Sequence, residues 1–191
     1  MSIEIHNLGC SLSGKKIFSN ISFQLNFGEL GLIIGPNGSG KTTLLRAIAG
    51  LLPILEGNIN LGSFKDEIYL LSHKFSTKHD LTPLEDIKFW CSYFNNNFDE
   101  KILEVMGLKK FSNLECKYLS EGQKQRLSIA RLLAADKKIW LLDEPTSSLD
   151  INAIEILKNY INKHLSKGGM ILCASHTNFY EKPDLIYNME K

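Results

Sequence analysis

One stretch of sequence constrains the fold of this 191-residue chain more than any other. Gly35-Pro36-Asn37-Gly38-Ser39-Gly40-Lys41-Thr42 fits the pattern G-x-x-x-x-G-K-[ST], which a chain of this length matches by chance about 1% of the time. A continuous apolar run, 30–34, precedes it, and apolar residues at helical spacing follow it over 43–52. The sequence therefore predicts a buried strand, a glycine-rich loop and a helix, in that order.

The residue types of this loop indicate a site for a polyphosphate. Glycines let backbone N–H groups wrap around phosphates, and the start of the following helix adds positive partial charge. Lys41 supplies a charge for the β and γ phosphates, and the Thr42 hydroxyl can ligate Mg²⁺. We therefore expect Gly35 through Thr43 to bind a nucleotide. The alternative is an ordinary glycine-rich turn.

A second apolar run, 139–142, ends in the carboxylates Asp143 and Glu144. Ligands of parallel sheets gather at the carboxyl ends of the strands, so Asp143 is predicted to reach the Mg²⁺ ion. Glu144 would then lie beside the γ phosphate and orient or deprotonate a water molecule. Acidic residues at the end of a strand are common, so this prediction depends on the glycine-rich loop in the same chain.

The segment Leu119-Ser120-Glu121-Gly122-Gln123 precedes a helical pattern and has two interpretations. In the first, Ser120 caps the helix and Gln123 reaches back to it, which is a capping box. In the second, this helix start is another phosphate-binding site. One chain needs only one phosphate cradle. The second interpretation therefore pairs two chains head to tail, each covering the nucleotide held by the other.

The order of strand and helix patterns predicts an α/β fold with a parallel sheet. Strands are predicted at 3–5, 21–25, 30–34, 58–61, 67–71, 138–142 and 170–175, and helices at 43–52, from 83, 99–106, 121–134 and 152–166. We expect one domain, 1–191, whose core is formed by 1–73 and 120–191. Residues 74–119 form a mostly helical insert.

Composition excludes several classes of protein. The net charge is +1, and no stripe of Lys and Arg suits nucleic acid. The cysteines at 10, 91, 116 and 173 lack CxxC spacing, so we predict reduced, buried thiols rather than disulfides or a zinc site. The first residues do not form a signal peptide, and no apolar run reaches the ~18 residues of a membrane span. A membrane role would come through a partner.

The ordered motifs resemble those of the ATP-binding cassette (ABC) family over essentially the whole chain. Leu119–Gln123 is similar to the family signature, with Glu121 in place of the first glycine. Ser147–Asp150 resembles the D-loop, which touches the partner subunit, and His176 resembles the switch histidine, which contacts the γ phosphate. The resemblance implies a P-loop NTPase fold with a RecA-like parallel sheet, an N-terminal antiparallel β part and a helical subdomain.

The resemblance also implies an ATPase that uses ATP and Mg²⁺ and forms a homodimer when ATP is bound. It implies catalytic roles for Lys41, Glu144 and His176, and metal binding by Thr42 and Asp143. The nucleotide-binding residues it implies are Gly35, Pro36, Asn37, Gly38, Ser39, Gly40, Lys41, Thr42 and Thr43 in one chain, and Ser120, Gly122, Gln123 and Asp150 in the other.

Two positions depart from the family pattern. Lys74 stands where the family has a glutamine that senses metal and nucleotide, and lysine cannot ligate Mg²⁺. Residues 10–16 contain no aromatic side chain to stack on adenine, which leaves Leu12 as an apolar contact. These departures motivate an alternative: a subunit that binds ATP and dimerises but hydrolyses ATP weakly.

Four segments resemble the ATPase subunits of the haem exporter system of cytochrome c maturation: 18–23, 28–30, 69–73 and 81–90. That resemblance implies an integral membrane permease partner. It places the chain on the cytoplasmic face of the inner membrane, or on the matrix side in a mitochondrion. Another small ABC exporter is the alternative. Phe89, Trp90, Tyr93 and Phe94 either line the groove for the permease or form the core of the helical insert.

Overall fold

The computed structural model describes residues 2–72, 78–176 and 179–189. The strands in these ranges are β1 (Ser2–Leu12), β2 (Lys15–Asn26), β3 (Leu30–Ile34), β4 (Glu56–Asn60), β5 (Ile68–Leu71), β6 (Ile139–Asp143), β7 (Met170–Ala174) and β8 (Leu185–Asn188). The α-helices are α1 (Lys41–Ile48), α2 (Pro83–Tyr93), α3 (Lys101–Val105), α4 (Glu121–Ala135) and α5 (Ile151–Ser166).

The described residues form two compact units. The first takes in the described residues of 1–70, 138–144 and 162–191, and the second takes in those of 71–137 and 145–161. The first unit therefore contains the glycine-rich loop and both sheets. The second contains α2, α3, α4 and the first part of α5.

A five-stranded sheet in the order β5-β6-β7-β3-β8 is the core of the fold. Strand β3 pairs in parallel with β7 and β8, and β6 pairs in parallel with β7. Every residue of β6 and β7 is buried, as expected of apolar runs covered on both faces. The prediction of an α/β fold with a parallel sheet is confirmed.

The predicted N-terminal antiparallel part is also confirmed. Strands β2, β1 and β4 form a separate three-stranded sheet in which β1 pairs antiparallel with both neighbours. Strands β1 and β2 are longer than the predicted 3–5 and 21–25. The alternation of burial in β1 breaks at the exposed pair His6 and Asn7, where the register shifts. Periodicity alone therefore detected only the regular part of each strand.

Two elements of the first unit differ from the prediction. Helix α1 ends at Ile48 rather than 52, because Gly50 has a φ of 72°, which a helix does not continue through. Strand β8, at Leu185–Asn188, was not predicted. It is only four residues long, at the edge of the sheet, and its residues alternate between half-buried and exposed, so its apolar run is shorter than those of the central strands.

The second unit is organised by capped helices. Helix α2 begins as predicted: the Thr82 hydroxyl accepts a hydrogen bond from the Glu85 N–H at 3.3 Å, and the Glu85 carboxylate accepts one from the Thr82 N–H at 2.9 Å. Helix α3 begins at Lys101 rather than 99, since the Asp99 carboxylate accepts a hydrogen bond from the Lys101 N–H at 2.9 Å, and it ends before Gly107, whose φ is 67°. A buried pair, Asp86 of α2 and Arg131 of α4, joins these two helices through two hydrogen bonds.

The cysteine prediction is confirmed. Cys10, Cys91, Cys116 and Cys173 are all buried and carry free thiols. Burial raises the pKa of Cys173 well above its usual range, and the charges of Glu144 and Asp143 raise it further. Across residues 2–72, 78–176 and 179–189, no helix is long and apolar enough to cross a membrane.

Candidate functional site

The glycine-rich loop links β3 to α1 through residues with left-handed backbone. Gly38 and Gly40 have φ values of 79° and 101°, which favour glycine over residues with a side chain. The Ser39 N–H donates to the Pro36 carbonyl at 3.2 Å, and the Leu44 N–H donates to the Gly40 carbonyl at 2.8 Å. The loop therefore turns tightly and leads directly into the first turn of α1.

Lys41 lies inside the curve of this loop and is only 7% exposed. Its ammonium Nζ donates to the carbonyl oxygens of Gly35 at 2.8 Å and Pro36 at 3.2 Å. It also lies 3.5 Å from Nδ1 of His176. A triphosphate in the loop would offer this buried cation charged acceptors in place of neutral carbonyls, and charge-assisted hydrogen bonds are the stronger ones.

Thr42 and Asp143 meet as the sequence predicts. The Thr42 hydroxyl Oγ1 donates to the Asp143 carboxylate, lying 3.0 Å from Oδ1 and 2.9 Å from Oδ2. No group of three or more His, Cys, Asp or Glu side chains in the described part of the chain is placed to hold a metal ion. One hydroxyl and one carboxylate suit Mg²⁺, which takes few protein ligands and fills its shell with phosphate oxygens and water.

Glu144 and His176 lie at the ends of neighbouring strands. The Glu144 N–H donates to the Ala174 carbonyl at 2.9 Å, and the residue has a φ of 50°. A left-handed backbone at a residue with a side chain costs about 1–3 kcal/mol and is common at functional sites. His176 Nε2 lies 3.2 Å from Oε1 of Glu144, and the His176 N–H donates to Oε2 at 3.4 Å. The two side chains can hold a water molecule and move its proton.

The structure thus brings five predicted residues together within the first unit: Lys41, Thr42, Asp143, Glu144 and His176. The buried hydroxyl of Ser39 has no hydrogen-bond partner among the described residues. A buried polar atom without a partner is costly, so it indicates a ligand acceptor or water within reach of the loop. This observation agrees with the predicted nucleotide site.

The signature residues lie in the second unit and form a capping box. The Ser120 hydroxyl accepts from the Gln123 N–H at 3.2 Å, and the Gln123 carbonyl oxygen Oε1 accepts from the Ser120 N–H at 2.8 Å. The capping interpretation of this segment is therefore confirmed. Its phosphate-binding role, which requires a second chain, stays a prediction.

Three contacts fix the D-loop segment to α4. A methyl group added at Gly122 would lie 2.7 Å from the Ser148 carbonyl oxygen. The buried Gln125 amide donates to the Pro145 carbonyl at 2.8 Å, and Arg126 pairs with Asp150 at 2.5 Å. Sequence reasoning missed Gln125 and Arg126, although both directly follow the signature.

Asp150 also begins α5. Its carboxylate accepts a hydrogen bond from the Ala153 N–H at 2.8 Å. That hydrogen bond, and next the Arg126 charge, lower the pKa of Asp150. The predicted D-loop carboxylate is therefore already engaged within its own chain.

Replacing Gly122 by Ala tests the contact with the D-loop. Helix propensity alone favours Ala over Gly by about 1 kcal/mol. The new methyl group would instead press on a backbone oxygen, and overpacking of this kind costs about 1–3 kcal/mol. We expect a lower midpoint in thermal unfolding for Gly122→Ala and little change for the neighbouring Glu121→Ala. A raised midpoint for Gly122→Ala would contradict this description of the contact.

Lys74, the predicted departure from the family glutamine, lies outside the described residues. Leu12, the predicted apolar contact for the base, is the last residue of β1 and is 36% exposed. The roles predicted for both residues stay predictions.

Comparison with known proteins identifies the class. A family model described as ABC transporter matches residues 18–147. The fold is similar to an ATP-binding subunit of an ABC transporter, with a TM-score of 0.82, 22% identity and coverage of 92% of this chain and 80% of the other. It is also similar to the ADP conformation of an ATP-binding cassette, with a TM-score of 0.75, 25% identity and coverage of 99% and 87%. The chain belongs to the ABC transporter family, as an ATP-binding subunit that hydrolyses ATP.

Sequence relatives identify the type of ABC ATP-binding subunit. The chain is 40% identical to the cytochrome c biogenesis ATP-binding export protein CcmA of Nitrobacter winogradskyi, over 93% of this chain and 92% of the relative. It is 38% identical to CcmA of Nitrosomonas europaea, over 89% and 86%. The CcmA of Reclinomonas americana is 37% identical, over 93% and 86%. Among ABC ATP-binding subunits, the chain is therefore of the CcmA type.

Proposed function

We propose that this chain binds ATP with Mg²⁺ at its glycine-rich loop and hydrolyses it to drive the export step of cytochrome c biogenesis. The observation that carries the proposal is the cluster of Lys41, Thr42, Asp143, Glu144 and His176 at the carboxyl ends of β3, β6 and β7. The CcmA relatives are cytochrome c biogenesis ATP-binding export proteins, and the proposed process is taken from that name.

Each side chain of the cluster has a separate task in this proposal. Lys41 binds the terminal phosphates in exchange for the carbonyls of Gly35 and Pro36. Glu144 accepts a proton from the attacking water, and His176, whose Nε2 lies 3.2 Å from the Glu144 carboxylate, orients that water or the γ phosphate. Since the strained backbone of Glu144 is anchored at the Ala174 carbonyl, its carboxylate is held in place before substrate arrives.

The residues around Thr42 and Asp143 fit a magnesium ion. The hydroxyl and the carboxylate already lie within 3.0 Å of each other at the start of α1. Bound there, Mg²⁺ would neutralise phosphate charge as it builds up during hydrolysis. Until then, the Thr42 hydroxyl orients the carboxylate of Asp143 through its hydrogen bond.

Two copies of the chain form the active species in this proposal. Ser120, Gly122 and Gln123 begin a helix of 15 residues, α4, whose N-terminus favours an anion. A head-to-tail homodimer would place this helix start, and Asp150 beside it, over the nucleotide of the other chain. The backbone N–H groups that the capping box now satisfies would then donate to phosphate oxygens instead.

The membrane partner in this proposal is an integral permease of the CcmB type. Phe89 and Tyr93 of α2 are 46% and 68% exposed and lie parallel, with ring centroids 6.4 Å apart. Trp90 and Phe94 are half-buried beside them. This exposed aromatic face supports the docking interpretation for the outer pair. The chain would lie on the cytoplasmic face of the inner membrane, or on the matrix side of a mitochondrial membrane.

One experiment tests both parts of the proposal. The chain is co-expressed with a CcmB-type permease, purified through the permease and assayed for ATPase activity. We expect the wild type and Lys41→Ala to co-purify equally, and ATP turnover to fall by about 10²-fold or more in the variant, because the buried phosphate-binding cation is lost. Lys65→Ala, which removes an exposed lysine of the same unit, is the matched control. Equal turnover in all three would refute the role of Lys41, and failure to co-purify would refute the partner.

A further inference from the structure

Met189 follows β8 directly and is held against the end of β3. Its N–H donates to the Ile34 carbonyl at 2.8 Å, one residue before the glycine-rich loop begins. The start of the same segment is anchored as well, since the Asp184 N–H donates to the Leu30 carbonyl and the Leu30 N–H donates to the Asp184 carboxylate, both at 2.8 Å. Met189 is only 3% exposed. The C-terminal segment therefore follows β3 along its length and reaches the loop.

Two glycines of the loop pack against Met189. A methyl group added at Gly35 would lie 2.5 Å from the Met189 carbonyl oxygen. A methyl group added at Gly40 would lie 3.3 Å from Cε of Met189, and Ile17 and Phe18 of β2 close the other side at 3.0 and 3.1 Å. Both glycines belong to the pattern that predicts phosphate binding. The Met189 main-chain carbonyl and the Ser39 hydroxyl, the latter at 2.9 Å, leave little space for a side chain at Gly35. At Gly40 the Met189 side chain shares this confinement with β2.

The contact leads directly to the phosphate-binding lysine. The Gly35 carbonyl accepts the shorter of the two hydrogen bonds that Lys41 makes to the loop, at 2.8 Å. Gly40 is the N-cap of α1, and Lys41 is the first residue of that helix. A shift of Met189 would therefore move both ends of the loop that positions Lys41.

We propose that Met189 is a positioning residue for nucleotide binding, which holds the glycine-rich loop in its phosphate-binding shape from the C-terminal side. The inference rests on the proposed nucleotide site but does not need the homodimer or the permease. Met189 touches the loop rather than the nucleotide, so its loss should weaken nucleotide binding and leave the hydrolytic groups Glu144 and His176 in place. Methionine suits this role because its unbranched thioether fills an irregular gap between backbone segments.

The test measures binding of MgADP and the kinetics of ATP hydrolysis in the full chain. We expect Met189→Ala to raise the Kd for MgADP and the KM for ATP by roughly tenfold and to leave kcat within about twofold. Met189→Leu keeps most of the volume and should bind close to the wild type. Ile186→Ala, in the adjoining strand β8 and 55% exposed, is the matched control and should have no effect. If Met189→Ala does not fold, Met189→Val, a smaller truncation, replaces it in the test. We then expect the Kd for MgADP and the KM for ATP to rise by about threefold.

An NMR measurement distinguishes positioning of the loop by Met189 from a general contribution of Met189 to protein stability. With methionine methyl groups labelled with ¹³C, the Met189 Cε signal, assigned by its loss in Met189→Leu, should shift when MgADP is added. The signal of Met106, which is buried in the other unit, should stay unchanged. Wild-type protein that binds MgADP, with unchanged affinity in the variants and an unmoved Met189 signal, would overturn the inference. Wild-type protein that binds no nucleotide would instead refute the proposed function.

Discussion

Replacing Glu144 by Gln should lower the kcat of ATP hydrolysis by about 10²- to 10³-fold and leave ATP affinity close to that of the wild type. The amide has the same shape as the carboxylate but cannot accept a proton from water. The Glu144 Oε1 lies 3.2 Å from Nε2 of His176. Steady-state ATPase assays with a parallel measurement of ATP binding separate the two quantities.

The control for this variant is Glu155→Gln. Glu155 is an exposed glutamate of α5 that pairs only with Lys158 in the described contacts, at 2.9 Å. Glu155→Gln loses the same charge as Glu144→Gln, but outside the cluster of site residues. The ATP turnover of this variant should therefore match that of the wild type. If Glu144→Gln kept more than half of the wild-type kcat, Glu144 would not be the proton acceptor. If the proposed homodimer forms, slow turnover with tight ATP binding should also let it accumulate, which light scattering would detect.

The central part of the site could be predicted because its chemistry is local in sequence. The loop from Gly35 to Thr42 and the pair Asp143 and Glu144 each follow an apolar run, and parallel strands place their carboxyl ends at one edge of a sheet. The contacts of Thr42 with Asp143 and of His176 with Glu144 then follow from topology. The apolar runs also located β3, β6 and β7 to within one residue at each end.

The contacts that support the site could not be predicted, because they depend on tertiary packing. Met189 lies 149 residues after Gly40 in the sequence, and the four-residue edge strand that precedes it is too short to stand out from periodicity. Gln125 and Arg126 look like solvent-facing helix residues by type, yet Gln125 is fully buried against Pro145. No periodicity encodes which backbone carbonyl a side chain meets. Sequence motifs therefore located the proposed reacting groups but not the side chains and backbone groups that contact them.

Replacing Asp86 by Ala should cause the largest loss of stability, because it leaves the Arg131 guanidinium buried without its counter-charge. The pair is almost inaccessible to solvent, with side chains 3% and 4% exposed, and it is joined by hydrogen bonds of 2.5 and 2.6 Å. Removing one partner of a buried ion pair costs about 3–5 kcal/mol. We expect a decrease of this size in the free energy of unfolding of the second unit, measured by urea denaturation.

Two further variants test whether burial of the unpaired charge causes the expected loss of stability in Asp86→Ala. Glu104 pairs with Lys109 at 3.3 Å in the same unit, but both side chains are 61% exposed, so Glu104→Ala should change stability little. The double variant Asp86→Leu with Arg131→Met replaces the pair by apolar side chains of similar size. It should recover most of the lost stability, because no charge is then left unpaired in the interior.

Cys116 reports on the same region without a global unfolding measurement. Burial, and next the Asp86 charge, raise the pKa of the Cys116 thiol to about 11, so little thiolate is present at neutral pH. Loss of Asp86 removes part of this shift and loosens the packing around the thiol. Alkylation at Cys116, followed by mass spectrometry at pH 8, should therefore be faster in Asp86→Ala than in the wild type. Unchanged alkylation together with unchanged urea denaturation would show that Arg131 is accommodated without Asp86, and the buried pair would not be what joins α2 to α4.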